Sequence, residues 1–172
     1  MNLFLLALNA HFLGDFLLQT TETVSAKTAG KFSAHLRHGL LISFLTFLAT
    51  HCWGLWPALL YALLVGLAHL LIDSAKAYLE KGKSGGVKLF LFLCDQGLHL
   101  LVLFVFFPLF PTVDPDPAVL AFYQRLRPVA PVFAANFREP LSALALEKIL
   151  WVTAIYLATV FGGAVLTNRI LA

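Results

Sequence analysis

The chain has 172 residues, of which 60% are hydrophobic and 12% charged, with a formal net charge of +3. Charged residues make up about a quarter of an ordinary soluble domain, so this composition excludes one and indicates an integral membrane protein. The charge excess is too small and the polar surface too limited for a nucleic-acid partner.

The apolar runs are longer than a soluble core requires, and no alternating strand pattern marks a barrel. The expected fold is therefore all-α: one polytopic transmembrane helical bundle over residues 1–172, with about five spans and one interfacial or re-entrant segment. The amino terminus lacks a basic n-region and a small-residue cleavage site, so residues near 2–18 read as a retained first span. A polar connector follows, carrying Lys27, Lys31 and Arg37, with Gly30 as a helix breaker.

The second span is expected near residues 38–56, and Trp53 and Trp56 at its far end mark a membrane interface. The third lies near residues 57–78, with Pro57 suited to its first turn. A short glycine- and lysine-rich turn leads to the fourth, near residues 89–110, which the prolines from Pro108 onward stop. Residues 118–142 mix Phe122, Tyr123 and Phe133 with Arg125 and Arg127, the pattern of a segment lying in the interface or dipping back into it. The last span is expected near residues 146–166. Cys52 and Cys94 form no CxxC and suggest neither a disulfide framework nor a zinc knuckle.

Basic residues orient the bundle. Lys27, Lys31, Arg37, Lys81, Lys83, Lys88 and Arg169 fall on one side, the expected cytoplasmic side, against Arg125, Arg127 and Arg138 on the other. The amino terminus is then outside and the carboxy terminus cytoplasmic.

The chemistry concentrates in three pairs. His11 and Asp15, His69 and Asp73, and in reverse order Asp95 and His99 are each four residues apart. That spacing puts both members on one helical face, about 6 Å apart along the axis. Ionisable groups are costly within a bilayer and by default mark function. With this topology all three pairs, together with Gln19, His38, Lys76 and Gln96, fall at the cytoplasmic half of the bundle. Gly14, Gly66 and Gly97 lie near them and would let helices approach closely. A structural alternative is that these groups hydrogen-bond one another as buried glue or snorkel at helix ends. His35 and His51 read as interfacial histidines, and Lys27, Lys31 and Arg37 as positive-inside determinants.

The string HFLGDFLLQ from His11 to Gln19, then Lys31, His35 and His38, then HLLIDSAK from His69 to Lys76 and DQGLH from Asp95 to His99, resembles an uncharacterised bacterial family of small multi-spanning membrane proteins, domain-of-unknown-function family 3307. The resemblance covers about the first two thirds of the chain and implies a polytopic inner-membrane protein. In residue type, though not in a shared string, the chain is also similar to small membrane proteins labelled metal-dependent hydrolases.

Three functions compete. In a membrane-embedded hydrolase, His11, Asp15, His69, Asp73, Asp95 and His99 would hold one or two divalent ions, zinc among the candidates, with a position open for water. Asp15 or Asp95 would act as base and Lys76 would steady developing negative charge on an amphiphilic or lipid-like substrate. No HExxH string is present. In a cation- or proton-coupled transporter the same groups would relay charge, although no inverted repeat is evident. In a partner subunit of a membrane complex they would fix helix register.

Overall fold

A computed structural model describes residues 2–110, 116–126, 143–164 and 167, and these residues are all helix, turn or connector, with no strand among them. Helix α1 (Asn2–Phe12) runs into a π-helical turn, Leu13–Leu17. The turn closes with Leu18 N donating to Leu13 O at 2.9 Å. Leu3, Leu5, Ala7, Leu8 and Ala10 are all buried, so α1 is apolar around much of its circumference and sits inside the bundle. It packs against α3 (Phe32–Thr50), α5 (Gly85–Phe106) and α7 (Ala143–Tyr156), the last of which continues as a π-helix over Leu157–Gly162. Asn9 fastens α1 to α7, its Nδ2 donating to Leu150 O at 3.0 Å.

Between α1 and α3 lies α2 (Thr21–Thr28), bent 82° from the first helix. Thr20 caps it, its hydroxyl oxygen accepting from Thr23 N. Gly30, at φ 78, ends the segment in a conformation that favours glycine. By sequence pattern this stretch reads only as a polar connector, because eight residues of low hydropathy leave no apolar stripe to reveal a helix.

α3 and α4 (Leu55–Leu79) form the most extensive helix pair. They come close at Gly39 and Gly66, where a Cβ on Gly66 would lie 2.7 Å from Gly39 O. Gly39 thus takes the place in the packing that Gly97 was expected to share, because a Cβ on Gly97 would meet nothing within 4 Å. Gly14 does pack as expected, on Ile42 and Leu45 of α3.

Three helical stretches, Phe32–Trp53, Leu55–Leu79 and Gly85–Leu109, are long and apolar enough to cross a membrane. A fourth follows if Leu3–Leu17 and Thr21–Thr28 make one broken span. The expected five spans are therefore not established; the described residues are helical throughout apart from turns and connectors, and the three apolar helices suggest a membrane protein. The second span begins at Phe32 rather than near residue 38, and α5 begins at Gly85 after Ser84, so glycines read as turn residues belong to its first turn. α5 yields to a short 3-10 turn, Phe107–Leu109, at Pro108. Of the expected interfacial segment, α6 (Pro117–Leu126) is described; the rest, with Arg127 and Arg138, lies outside the described residues, as does Arg169.

The surface is apolar where soluble proteins are polar. Leu36, Leu40, Phe44 and Leu48 form an exposed stripe along α3, and Leu55, Leu59, Leu63, Leu67 and Leu71 form another along α4. Such four-residue repeats facing outward suit hydrocarbon. Inside, the bundle divides lengthwise. One end is filled by Leu5, Ile42, Ala58, Tyr61 and Leu103, with the Tyr61 hydroxyl donating to Leu103 O at 3.0 Å. The other end holds the ionisable groups.

Because Gly39 O is backbone and cannot swing aside, Gly66→Ala is expected to lower stability in detergent by about 1–3 kcal/mol, seen as a lower Tm. Gly97→Ala should leave Tm unchanged. Equal Tm values for the two variants would refute the close-approach account.

Candidate metal and substrate site

Four segments deliver the polar cluster. The end of α1 and its π-turn bring His11 and Asp15, α3 brings His35 and His38, α4 brings His69, Asp73 and Lys76, and α5 brings Asp95, Gln96 and His99. α1 and α4 run into this end while α3 and α5 start from it, so residues far apart in sequence reach one depth. His11, His69, His99 and Asp95 are each no more than 2% exposed. A charged group at the centre of a bilayer costs about 3 kcal/mol on insertion scales, so isolated ones are rare and those present pair with one another.

Asp15 is the hub. His38 Nε2 donates to its Oδ1 at 2.9 Å. His69 Nε2 lies 3.2 Å from the same oxygen, without a hydrogen bond of acceptable angle. On the other oxygen, His11 Nε2 lies at 3.7 Å and His99 Nδ1 at 4.0 Å, and Gln96 Nε2 donates at 3.4 Å. The imidazoles crowd together above this carboxylate. The rings of His69 and His99 stack at 4.0 Å, and His38 and His11 approach His69 at 4.8 and 5.5 Å.

Asp73 and Asp95 have different partners. Asp73 Oδ2 accepts from the Lys27 ammonium, which reaches in from α2. Lys76 donates to Asp95 Oδ2 at 2.8 Å and lies 3.7 Å from Asp73 Oδ1. Gln96 also donates to Asp95 Oδ2, at 3.1 Å. Two acids thus carry ammonium partners, whereas Asp15 is met by imidazoles and an amide.

Three overlapping sets bring ligand atoms within 4.8 Å of one another: His11, Asp15 and His69; His38, His69 and Asp73; and Asp73, Asp95 and His99. These buried groups can hold a metal ion. The chemistry of the donors fits: His11 Nε2, both nitrogens of His69 and of His99, and Asp95 Oδ1 are buried without a hydrogen-bond partner. Orphaned buried nitrogens are costly in a structural network, since each loses its water without replacement.

Beside the cluster a cavity of about 500 Å³ opens under α2. Its polar wall includes Asp15, Lys27, His35 and Lys76, and its apolar wall Phe16 and Phe92. Leu17, Leu18 and Val24, all more than 40% exposed, stand nearby at the same end.

The structure brings together every predicted ligand, along with His38, Gln96 and Lys76, while Gln19 lines the cavity beside them. Asp95 stands behind Lys76 and does not line the cavity, in contrast to Asp15. His51 lies at the opposite end, its Nδ1 2.7 Å from Leu48 O. Two members escaped the sequence pattern. Lys27 and His35 are 7% and 4% exposed rather than interfacial. For His35, the spacing of three to His38 on one helical face was an available signal. For Lys27 there was none, because its burial depends on the bend that turns α2 back over the cluster.

No curated protein and no solved structure matches the chain. A family profile described as "Protein of unknown function (DUF3307)" matches residues 3–124, a stretch that holds α1 through most of α6 and every residue of the cluster. The chain belongs to the DUF3307 family.

Proposed function

We propose that the protein is a membrane-embedded, metal-dependent hydrolase acting on an amphiphilic substrate at the cytoplasmic side of the bacterial inner membrane. The observation that carries this reading is the contrast among the three ligand sets. The sets containing Asp73 already have the ammonium of Lys27 or Lys76 against their carboxylates, but His11, Asp15 and His69 have none. Two imidazoles and one carboxylate match the ligand number and type of catalytic zinc sites, which keep a further position for water.

Such an ion would supply a water of lowered pKa to the site. The chain's own groups then divide the remaining tasks. Asp15 forms both part of the ligand set and part of the cavity wall, so the ion site and the substrate space adjoin. Lys76, in the same wall, is placed to steady negative charge developing on a substrate oxygen. Asp95 acts as a positioning residue: it holds the Lys76 ammonium, and Gln96 steadies it in turn. Phe16 and Phe92 give the cavity an apolar side, and its size falls in the range of small-molecule sites, about 300–1,000 Å³. A polar wall at membrane-surface depth beside an apolar wall suits a molecule with a polar head and a hydrocarbon tail.

A transporter would need a polar route to the other face. There the buried polar groups among the described residues, Thr46, Thr50 and Tyr61, are neutral, as is the part-buried Asn9. The cavity lies at the end that holds the cluster, so a one-sided chemical site is the better fit. A partner subunit needs the cluster merely to fix helix register, and orphaned imidazole nitrogens serve that purpose poorly.

Metal analysis of the detergent-purified protein should find a bound divalent ion in the wild type and its loss in His11→Ala and His69→Ala. A metal-free wild type of full thermal stability would overturn the reading. Hydrolysis of micellar ester and phosphoester amphiphiles should slow by about 10²-fold or more in Lys76→Met, mainly in kcat; a rate equal to wild type would remove Lys76 from the chemistry.

A further inference from the structure

The helix α2 is attached to the bundle in an unusual way. Of its eight residues only Lys27 is buried, while Thr21, Glu22, Val24, Ser25 and Thr28 are exposed. Helices normally dock through an apolar face; this one docks through a charge. Its ammonium reaches Asp73 Oδ2, and the His69 Nε2 atom lies 3.6 Å from that same oxygen. Asp73 and His69, together with His38, make up one of the three ligand sets. Lys27 therefore contributes its charge at a position where three metal-type ligands converge.

We infer that His38, His69 and Asp73 form a second divalent-cation site, and that Lys27 is a tethered cation filling it, so that docking of α2 and binding of this ion are mutually exclusive. The inference rests on the reading of the cluster as a cation site, but it concerns a different ligand set and a residue outside the proposed chemistry. Asp73 cannot stay buried and uncompensated. Lys76 lies 3.7 Å from its Oδ1 but is held by Asp95, so Oδ2, the oxygen that His69 also faces, is left for either the Lys27 ammonium or a metal ion. His69 belongs to this set and to the one with His11 and Asp15, and its Nε2, which has a single lone pair, faces both Asp15 and Asp73, so the two sites have separate carboxylates but hold an ion one at a time. Because linkage is reciprocal, raising the concentration of the ion would undock α2, and holding α2 down would weaken the ion. The cavity beneath α2, bounded by Lys27 and Asp73, would open further when α2 leaves.

The test measures zinc bound per chain in the full-length, detergent-purified protein for wild type, Lys27→Met and Lys27→Arg, and for each of these with His11→Ala. Lys27→Met keeps the length of the side chain and removes its charge. In a His11→Ala background, where the first set has lost its ion, Lys27→Met should bind one zinc ion and Lys27→Arg should not. In His11→Ala/Lys27→Met/Asp73→Asn that ion should be lost. Equal zinc content in His11→Ala and His11→Ala/Lys27→Met would overturn the inference while leaving the hydrolase reading standing. A wild type without zinc beside a Lys27→Met variant with an ion would do the reverse. If Lys27→Met unfolds without metal, recovery of its folded state on adding zinc supports the inference, and failure to recover with zinc overturns it.

Discussion

The structure depends on the need of buried ionisable groups for partners. Three aspartates lie in a bundle whose outer surface is apolar, and each has been given its own kind of company: imidazoles for Asp15, Lys27 for Asp73 and Lys76 for Asp95. An unpartnered carboxylate at that depth would cost several kcal/mol. The arrangement of the helices follows from meeting that need. α1 is drawn to the centre, α3 and α4 close to backbone contact at Gly39 and Gly66, and α2 is folded back so that one lysine reaches inward. The apolar end supplies packing, through Leu5, Ile42, Tyr61 and Leu103, but does not select which residues meet at the other end.

The lengthwise division also explains why chemistry is confined to one end. Groups carried at the end of α1 and α4 and at the start of α3 and α5 share a depth by virtue of antiparallel connection alone. Side-chain chemistry then sorts them. At Asp73 and Asp95 an ammonium already stands against the carboxylate; Asp15 instead faces imidazoles and the Gln96 amide, and His11 and His69 beside it keep nitrogens without hydrogen-bond partners. The hydrolase reading and the inference about α2 both come from this sorting, one from the set that lacks an ammonium and the other from a set that has one.

Much of this was legible in the sequence because two periodicities carried it. A spacing of four in His11/Asp15, His69/Asp73 and Asp95/His99 determined which residues share a face, and the alternating direction of the apolar runs determined their depth. What remained hidden depended on the path of the chain between helices. α2 has no apolar stripe, so neither its helical state nor the inward turn of Lys27 could be read from hydropathy. The π-turn at Leu13–Leu17 is a local widening that no residue type announces, yet it contains Asp15. Gly39 mattered more than Gly97 because it stands opposite Gly66, a relation between two helices rather than a property of either sequence. Hydropathy alone did not settle the number of spans for a similar reason: the first apolar segment bends into α2 instead of continuing straight.

The most direct test is an experimental map of the zinc-loaded protein with anomalous data at the zinc edge. The account predicts a peak among His11, Asp15 and His69, with nitrogen and oxygen ligands at about 2.0–2.2 Å. A zinc-loaded map in which those three side chains converge without a peak, or in which they face away from one another, would contradict it.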